Sequence, residues 1–520
     1  MENAPDTRSS DYIAMLDYWQ MVSDLTNGAD AMRAAGERYL DRFESEDLEQ
    51  YKKRLSKAVY TNIYSDIVES LAARPFSNEI SLVDGSPRVK ALAEDIDGQG
   101  NNMHNFSATF FRNALDYGVD WIYVDYTRTK SETIDASGRV RRKTIAEERA
   151  DNARPYWVRV PATDMIAVYS AIIDGREEFV HCRMMETYIE RSGWEEVTVT
   201  QIREIDRQPM FDEDGQIIDW DNAVFRVWRQ QDQEIMKNGK LVRQRQVWTV
   251  VDEGPMAIGV IPIVPLVIGE RKGNGWQIVP AMKSCAYLQV DYYDEENGLK
   301  NIKKITAYPM LTASGVTPEK DSTGAVRKAP VGPRAVLYGP ATEHGTGTWS
   351  FIEPAGSSLT FLRDELKEKA KELRELGRQP LTQSSSQLTR VTSSAAASKG
   401  TAAIQRWALA MKDALENAMF YTALWLNEGI EPTVSVNTNF SLEDAEDDGF
   451  ADVLALRSSG DLSQETIWEE AKRRGRLSDE FTVEREQTRL EGEMPSDDDL
   501  LPEDVLPEDE ITSPDPGDGE

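Results

Sequence analysis

The sequence predicts an α+β chain built from several parts, and three observations carry that reading. Apolar residues recur at helical spacing through most of the first 117 residues. From about 128 to 268 the pattern changes to short alternating runs separated by Gly-containing turns, as hairpins require. Beyond 280, long helical stretches flank first a Pro/Gly-rich segment and then a polar, small-residue one. The 520 residues, 40% hydrophobic and 29% charged, suffice for a large core and allow more than one domain.

Asp11 to Gly36 sets Ile13, Leu16, Met21 and Leu25 on a rough helical period, and Glu49 to Ala73 repeats it with Tyr51, Leu55, Ala58, Ile63 and Ile67. Arg74-Pro75 ends the second helix, because proline disfavours helical geometry in the residue before it. A third helix fits Asn105 to Tyr117 and closes at Gly118; Val119 to Tyr126 alternates as a strand. Ser137-Gly138, Asp214-Gly215 and Asn238-Gly239 supply hairpin turns among the runs YWVRV, FVHCRMM, EEVTVTQI, AVFRVW and QVWTVV. VIPIVPLVI reads as a buried extended stretch outside any central ladder, since proline cannot donate.

A long helix fits Pro280 to Ile305, followed by a strand at Tyr308 to Thr312 and an irregular Pro/Gly-rich stretch to Gly356. Ser357 or Ser358 caps a helix to Leu376 with Leu359, Leu362, Leu366, Ala370 and Leu373 down one face. The segment LTQSSSQLTRVTSSAAAS then has too little apolar surface to be core. A second helix is expected from Lys399 to Glu428, roughly 45 Å long at 1.5 Å per residue, with Ile404, Ala408, Met411, Leu415, Ala418 and Leu426 as its stripe. Thr433 to Phe440 alternates as a strand, and short acidic helices fit 450–458, 463–474 and 478–491. The last 27 residues hold 11 acids, 5 prolines and no base, which predicts a solvated tail.

The formal charge is −32, and residues 443–520 carry 27 of the 91 acids but only 7 of the 59 bases. That balance excludes tight, non-specific gripping of nucleic acid by the whole surface and disfavours anionic membranes. Two cysteines, Cys182 and Cys285, are too few for a disulfide framework and suit a reducing compartment. The opening MENAPDTRSSDY has no signal-peptide pattern, and the most apolar run, Pro255 to Gly269, is short and broken by prolines, so synthesis in the cytoplasm without a spanning helix is expected. No phosphate-binding GxxxxGK[ST] occurs. His104, His181 and His344 have no metal-ligand partner at a fixed offset, and His181 and Cys182 on one strand point to opposite faces. Glu443, Asp444, Glu446, Asp447 and Asp448 raise a two-metal nuclease as an alternative, although consecutive acids more often form a solvated face. The expectation is no enzyme, no metal and no cofactor.

One resemblance organises these parts. Trp19, Gly28, Gly36-Glu37-Arg38-Tyr39-Leu40, Arg42-Phe43, Tyr51, Arg54-Leu55, Ala58, Asn62, Leu71 and Arg74-Pro75-Phe76 stand in an order that resembles the opening helices of tailed-bacteriophage portal proteins, within a portal-like group known as a domain of unknown function. NALDYGVDWIYVDY (113–126), RPYWVRVPATDMIAV (154–168) and GVIPIVPLVIGER (259–271) are similar to the same group. The match is weakest over 316–350 and ends near 440.

The resemblance implies a portal-type subunit: a ring of about twelve copies at one capsid vertex, the channel through which double-stranded DNA is packaged and ejected. It implies a wing for 1–279, a stem helix for 280–305, a clip for 306–356 and a second stem helix for 357–377. A tunnel loop follows at 378–398, a tunnel helix and returning wing strand at 399–440, a crown at 441–493 and the acidic tail at 494–520. Gln383, Ser384, Ser385, Ser386, Gln387, Thr389 and Arg390 would touch DNA weakly from the loop; Lys300, Lys303 and Lys304 are candidates for the lumen of the stem. Pro318, Lys320, Arg327, Lys328, Tyr338, His344 and Trp349 are clip residues placed to meet partners. Those partners would be a second copy of the chain, the major capsid protein or scaffold, the terminase packaging motor and a head-completion adaptor. The implied location is the virion, after assembly in the bacterial host cytoplasm.

Overall fold

The structure, a computed structural model, describes residues 4–44, 46–127, 132–134, 140–142, 153–215, 217–237, 240–306, 310–314, 323–324, 341–342, 345–346, 348–352, 357–377, 390–429, 432–438, 440, 450–460, 462–473, 477, 482–483, 485–487 and 489. The chain divides into two compact units, Met1–Phe440 and Ser441–Glu520. The fold is mixed α and β, as the sequence predicts.

The first unit opens with helices α1 (Ser10–Thr26), α2 (Ala29–Ala35), α3 (Leu48–Leu55), α4 (Ile63–Ala73), α5 (Pro87–Ala93) and α6 (Met103–Tyr117). Polar caps start most of them: the side chains of Ser9, Asp47, Asn62, Ser86 and Asn102 each accept from a backbone N–H three residues on. Two continuous helices of the sequence reading are each split. Gly28, at φ 84°, turns the chain between α1 and α2. Between α3 and α4 the segment Ala58–Asn62 is not helical, because Val59 and Thr61 are β-branched and Asn62 bonds its own cap. Trp19, Leu25, Met32, Tyr64, Ile67, Phe110 and Phe111 are fully or almost fully buried where these helices meet. Burying each such side chain contributes about 1.5–3 kcal/mol.

Two antiparallel sheets follow. In the first, β2 (Val119–Tyr126) lies between β3 (Pro155–Val160) and β11 (Ile263–Val267). Seven of the eight β2 residues, Val119 to Asp125, are buried, on both faces of the strand, so this strand is the centre of the core. The strand β11 contains Pro265 and sits at the sheet edge, where a missing donor is tolerated. The second sheet runs in the order β10 (Lys240–Pro255), β9 (Val224–Lys237), β6 (Glu195–Asp206), β5 (Arg176–Ser192), β4 (Met165–Ile173). Between β6 and β9 a small hairpin of β7 (Pro209–Phe211) and β8 (Ile217–Trp220) turns at Gly215. The turns at Ser137-Gly138 and Asn238-Gly239 lie outside the described residues. β12 (Gly269–Lys272) pairs with β13 (Gln277–Pro280), and this turn leads into the long helices.

Those helices are α7 (Lys283–Thr306), α8 (Ser357–Leu376) and α9 (Arg390–Trp425). Strands β14 (Met310–Ser314) and β15 (Thr348–Ile352) pair between α7 and α8. The helix α9 begins nine residues before the predicted start at Lys399, and its 36 residues span about 54 Å. The reason is local: Ala395-Ala396-Ala397 is poor in apolar surface but strong in helix propensity, so low hydrophobicity did not mean loop. The returning strand is shorter than predicted, and β16 (Thr433–Ser435) pairs with β1 (Ser81–Asp84). In the second unit, α10 (Phe450–Ser458) and α11 (Gln464–Arg473) are described. The predicted tail from 494 on lies outside the described residues.

Candidate functional site: the paired helices and the long helix

The helices α7 and α8 pack side by side in opposite directions. Near the start of α7, Cys285 Sγ donates to the Leu373 carbonyl at 3.7 Å; further along, Glu295 accepts from Lys369 on the preceding turn of α8. Beyond the helix ends, Met310 opposes Ile352 and Ser314 opposes Thr348, so the antiparallel course continues into the strands. The result is an antiparallel helical stalk within the first unit, going out along α7 from 283 and coming back along α8 to 376. At its return, Gly377 lies so close to α4 that a Cβ there would be 2.5 Å from Ile67 Cγ2. Arg374 and Asp66 add an exposed ion pair at 3.1 Å across the same junction.

A row of polar side chains on α7 stitches it to the extended segment between α3 and α4. The Gln289 side-chain oxygen accepts from the backbone N–H groups of Ile63 and Tyr64 at 3.1 and 3.0 Å, and its amide donates to the Thr61 carbonyl at 3.0 Å. It therefore satisfies donors at the start of α4 that the helix itself leaves unpaired. Asn297 accepts from Val59 N–H at 2.8 Å and donates to the Val59 carbonyl at 2.9 Å, much as a neighbouring strand would. Glu296 accepts from Thr61 Oγ1 at 2.6 Å, and Lys300 donates to the Lys57 carbonyl. Gln289 and Asn297 are buried, so these bonds replace water rather than compete with it. The sequence reading missed this row. Its signal was the helical spacing of 289, 296, 297 and 300, which puts all four on one face.

The second half of α9 is inserted in the core. Ile404, Ala408, Met411, Leu415 and Ala418 of the predicted stripe are buried, as is Trp407 beside it, while Leu426 is half-buried. Trp157 Nε1 donates to Thr422 Oγ1 at 2.8 Å, and Trp425 Nε1 to the Val124 carbonyl at 3.0 Å, pinning the helix to the three-stranded sheet.

Of the predicted site residues, Gln383, Ser384, Ser385, Ser386, Gln387 and Thr389 lie outside the described residues, as do Pro318, Lys320, Arg327, Lys328, Tyr338 and His344. Arg390 is the first residue of α9. Trp349 stands in β15 opposite Ala313. Lys300 and Lys303 are side by side near the end of α7, Lys303 exposed and Lys300 engaged with Lys57, with Lys304 next along the helix. The acids 443–448 lie outside the described residues.

Metal-ligand types converge once among the described residues, at His181, Glu204 and Asp206, on facing strands β5 and β6. His181 Nδ1 and Asp206 Oδ1 are 2.8 Å apart, Trp228 Nε1 donates to Glu204 at 2.8 Å, and Arg226 lies 3.7 Å from the same carboxylate. These partners already account for the three groups as cross-strand pairing. Cys182, its neighbour, is buried on the opposite face, and burial pushes its thiol far above the usual range. Two acids lie deeper. Burial raises Asp116 to about 6, with Arg112 at 3.7 Å opposing the shift, and raises Asp120 to about 8, with Arg159 at 3.3 Å opposing it. Both flank the Gly118 turn inside the core.

Residues 282–426 match the family profile described as "Domain of unknown function (DUF4055)". The matched segment starts at α7 and ends with α9, taking in the stalk and the long helix. No curated protein matches the sequence. Among solved structures, a chain in the "Neck of native GTA particle computed with C12 symmetry" aligns with TM-score 0.40 and 9% identity, over 84% of this chain and 96% of that one. A chain in the "Neck of empty GTA particle computed with C6 symmetry" gives 0.40 and 10%, over 80% and 90%. One in the "Virion of native gene transfer agent (GTA) particle" gives 0.39 and 11%, over 85% and 98%. At these scores the likeness does not establish a common fold.

Proposed function

We propose that the chain is a phage-type virion structural protein, and more narrowly a portal subunit. Copies of it would form a ring at one capsid vertex through which double-stranded DNA passes in and out. The observation that carries this reading is the continuous run from 283 to 425: an antiparallel stalk, a polar stretch at 378–389, and a helix of about 54 Å whose far half is locked in the core. Such a helix gives the polar stretch a rigid base, and a ring would turn many copies of that stretch toward one axis. The order of portal-like motifs along 19–271 supports the same assignment independently of the stalk.

In this reading the protein acts without catalysis. The segment 378–389 contributes small polar groups, with Arg390 at its end, and so touches phosphate without the dense positive charge that would hold it. The Pro/Gly-rich segment 315–347 meets the packaging motor during filling and a head-completion adaptor afterwards, while the remainder faces capsid protein or scaffold. Deleting 383–390 tests the assignment, with DNA per particle measured after packaging and again after storage. The reading expects a loss in packaging, in retention or in both; unchanged values for both would overturn the role given to this segment.

A further inference from the structure

Two exposed surfaces of the first unit are complementary to each other, and among the described residues no hydrogen bond or ion pair joins the acids of one, Glu213, Asp214 and Asp219, to the lysines of the other, Lys52, Lys53 and Lys57. The first is the β7–β8 hairpin. It exposes Met210, Phe211, Ile217 and Ile218 at 38, 59, 52 and 65%, far more apolar surface than a two-stranded hairpin needs. Its turn and flank carry Asp212, Glu213, Asp214 and Asp219, and residues 209–221 contain no base. Among the described residues, Glu213, Asp214 and Asp219 form no ion pair. The hairpin is fixed at its root, where Asp221 N–H donates to the Gln208 carbonyl at 2.8 Å and Arg207 Nε donates to the Asp221 carbonyl at 3.0 Å. A rigid acidic and apolar projection is therefore presented to solvent.

The second surface lies where the end of α3 meets the end of α7. Lys52, Lys53 and Lys57 are exposed there without an ion pair among the described residues, and Lys303 is exposed on α7. The bond from Lys300 to the Lys57 carbonyl holds the two elements together. Val59 and Ile302, 40 and 37% exposed, supply apolar area beside the lysines. The acid nearest in sequence on α7, Glu296, is turned to Thr61.

We infer that the β7–β8 hairpin of one copy docks on the Lys52–Lys57 and α7-end surface of the next copy. Two different patches that fit each other make a head-to-tail contact, and a head-to-tail contact that closes generates a ring. The apolar residues exclude water from the contact while the opposite charges set its register and speed encounter. This inference rests on the ring proposed above and says which surfaces build it.

Charge reversal tests it on the full-length protein, with the ring fraction read by native mass spectrometry at low salt. Glu213→Lys with Asp214→Lys, or Lys53→Glu with Lys57→Glu, each lowers the ring fraction by about tenfold or more, and combining all four changes restores it. Rings formed by either reversal as by the wild type, or no rescue in the combination, overturn this interface while leaving the ring standing. A wild type that never forms rings overturns the ring itself. As a check independent of any folding defect, Glu213→Cys with Lys57→Cys should give a disulfide-linked ladder of copies on oxidation; a ladder no stronger than with either cysteine alone overturns the contact.

Discussion

Asp116 shows what a single buried charge costs this fold. Its carboxyl is almost fully buried, with one oxygen lacking a hydrogen-bond partner, and its folded pKa of about 6 lies above the ordinary carboxylate value near 3.8. Because the folded value is raised, the folded state favours the protonated acid. No penalty exists below pH 4, it grows as pH rises through the window from about 4 to 6, and it is complete above that. Asp116→Asn should therefore gain stability over the wild type by on the order of 3 kcal/mol between pH 4 and pH 7.5, read as the difference in unfolding free energies. A constant difference between variant and wild type across that window contradicts it. Gln289 is a second such residue, with opposite sign. Gln289→Leu keeps the volume but removes the partner of the buried Tyr64 N–H and one of two partners of the Ile63 N–H and the Thr61 carbonyl, which keep each other, so a loss of about 1–3 kcal/mol is expected in thermal or denaturant unfolding. Neither effect was legible in the sequence. Polar residues on a helix read as surface until their partners, more than 200 positions away, are known.

At the scale of elements, the sequence marked stops better than starts. Gly118 ends α6 at φ 84°, and Val119–Tyr126 is a strand with the bounds that its alternation predicts. The glycine is also needed for space, since a Cβ would lie 2.7 Å from Pro280 Cγ and 3.0 Å from Pro280 Cα. Gly118→Ala should cost about 2 kcal/mol or more through strain at positive φ and the displaced β13 turn, read as a lowered unfolding midpoint. What failed was continuity. The apolar period ran through Gly28 and through Val59–Asn62, where the chain breaks, and it stopped short of Arg390, where α9 begins. In each case local backbone preference decided the boundary and hydrophobic spacing did not register it. The stalk was legible as two helices, but their pairing through Cys285, Leu373, Glu295 and Lys369 was not.

For the whole molecule, the proposed ring would be built from chains that each bring one antiparallel stalk and one long core-anchored helix. Charge is consistent with that use, since most of the net −32 resides after residue 442 and leaves the first unit only mildly acidic. The polar composition of 383–390 was visible in the sequence, yet what the segment faces depends on other copies of the chain, which no single-chain pattern encodes. The most direct measurement is the mass and symmetry of the purified protein by native mass spectrometry with negative-stain imaging. The expected result is a closed ring, about 700 kDa for twelve copies, with an open axis wide enough for duplex DNA of about 20 Å. A monomer of 58.6 kDa at every salt and protein concentration, and equally in the presence of capsid protein, would contradict it.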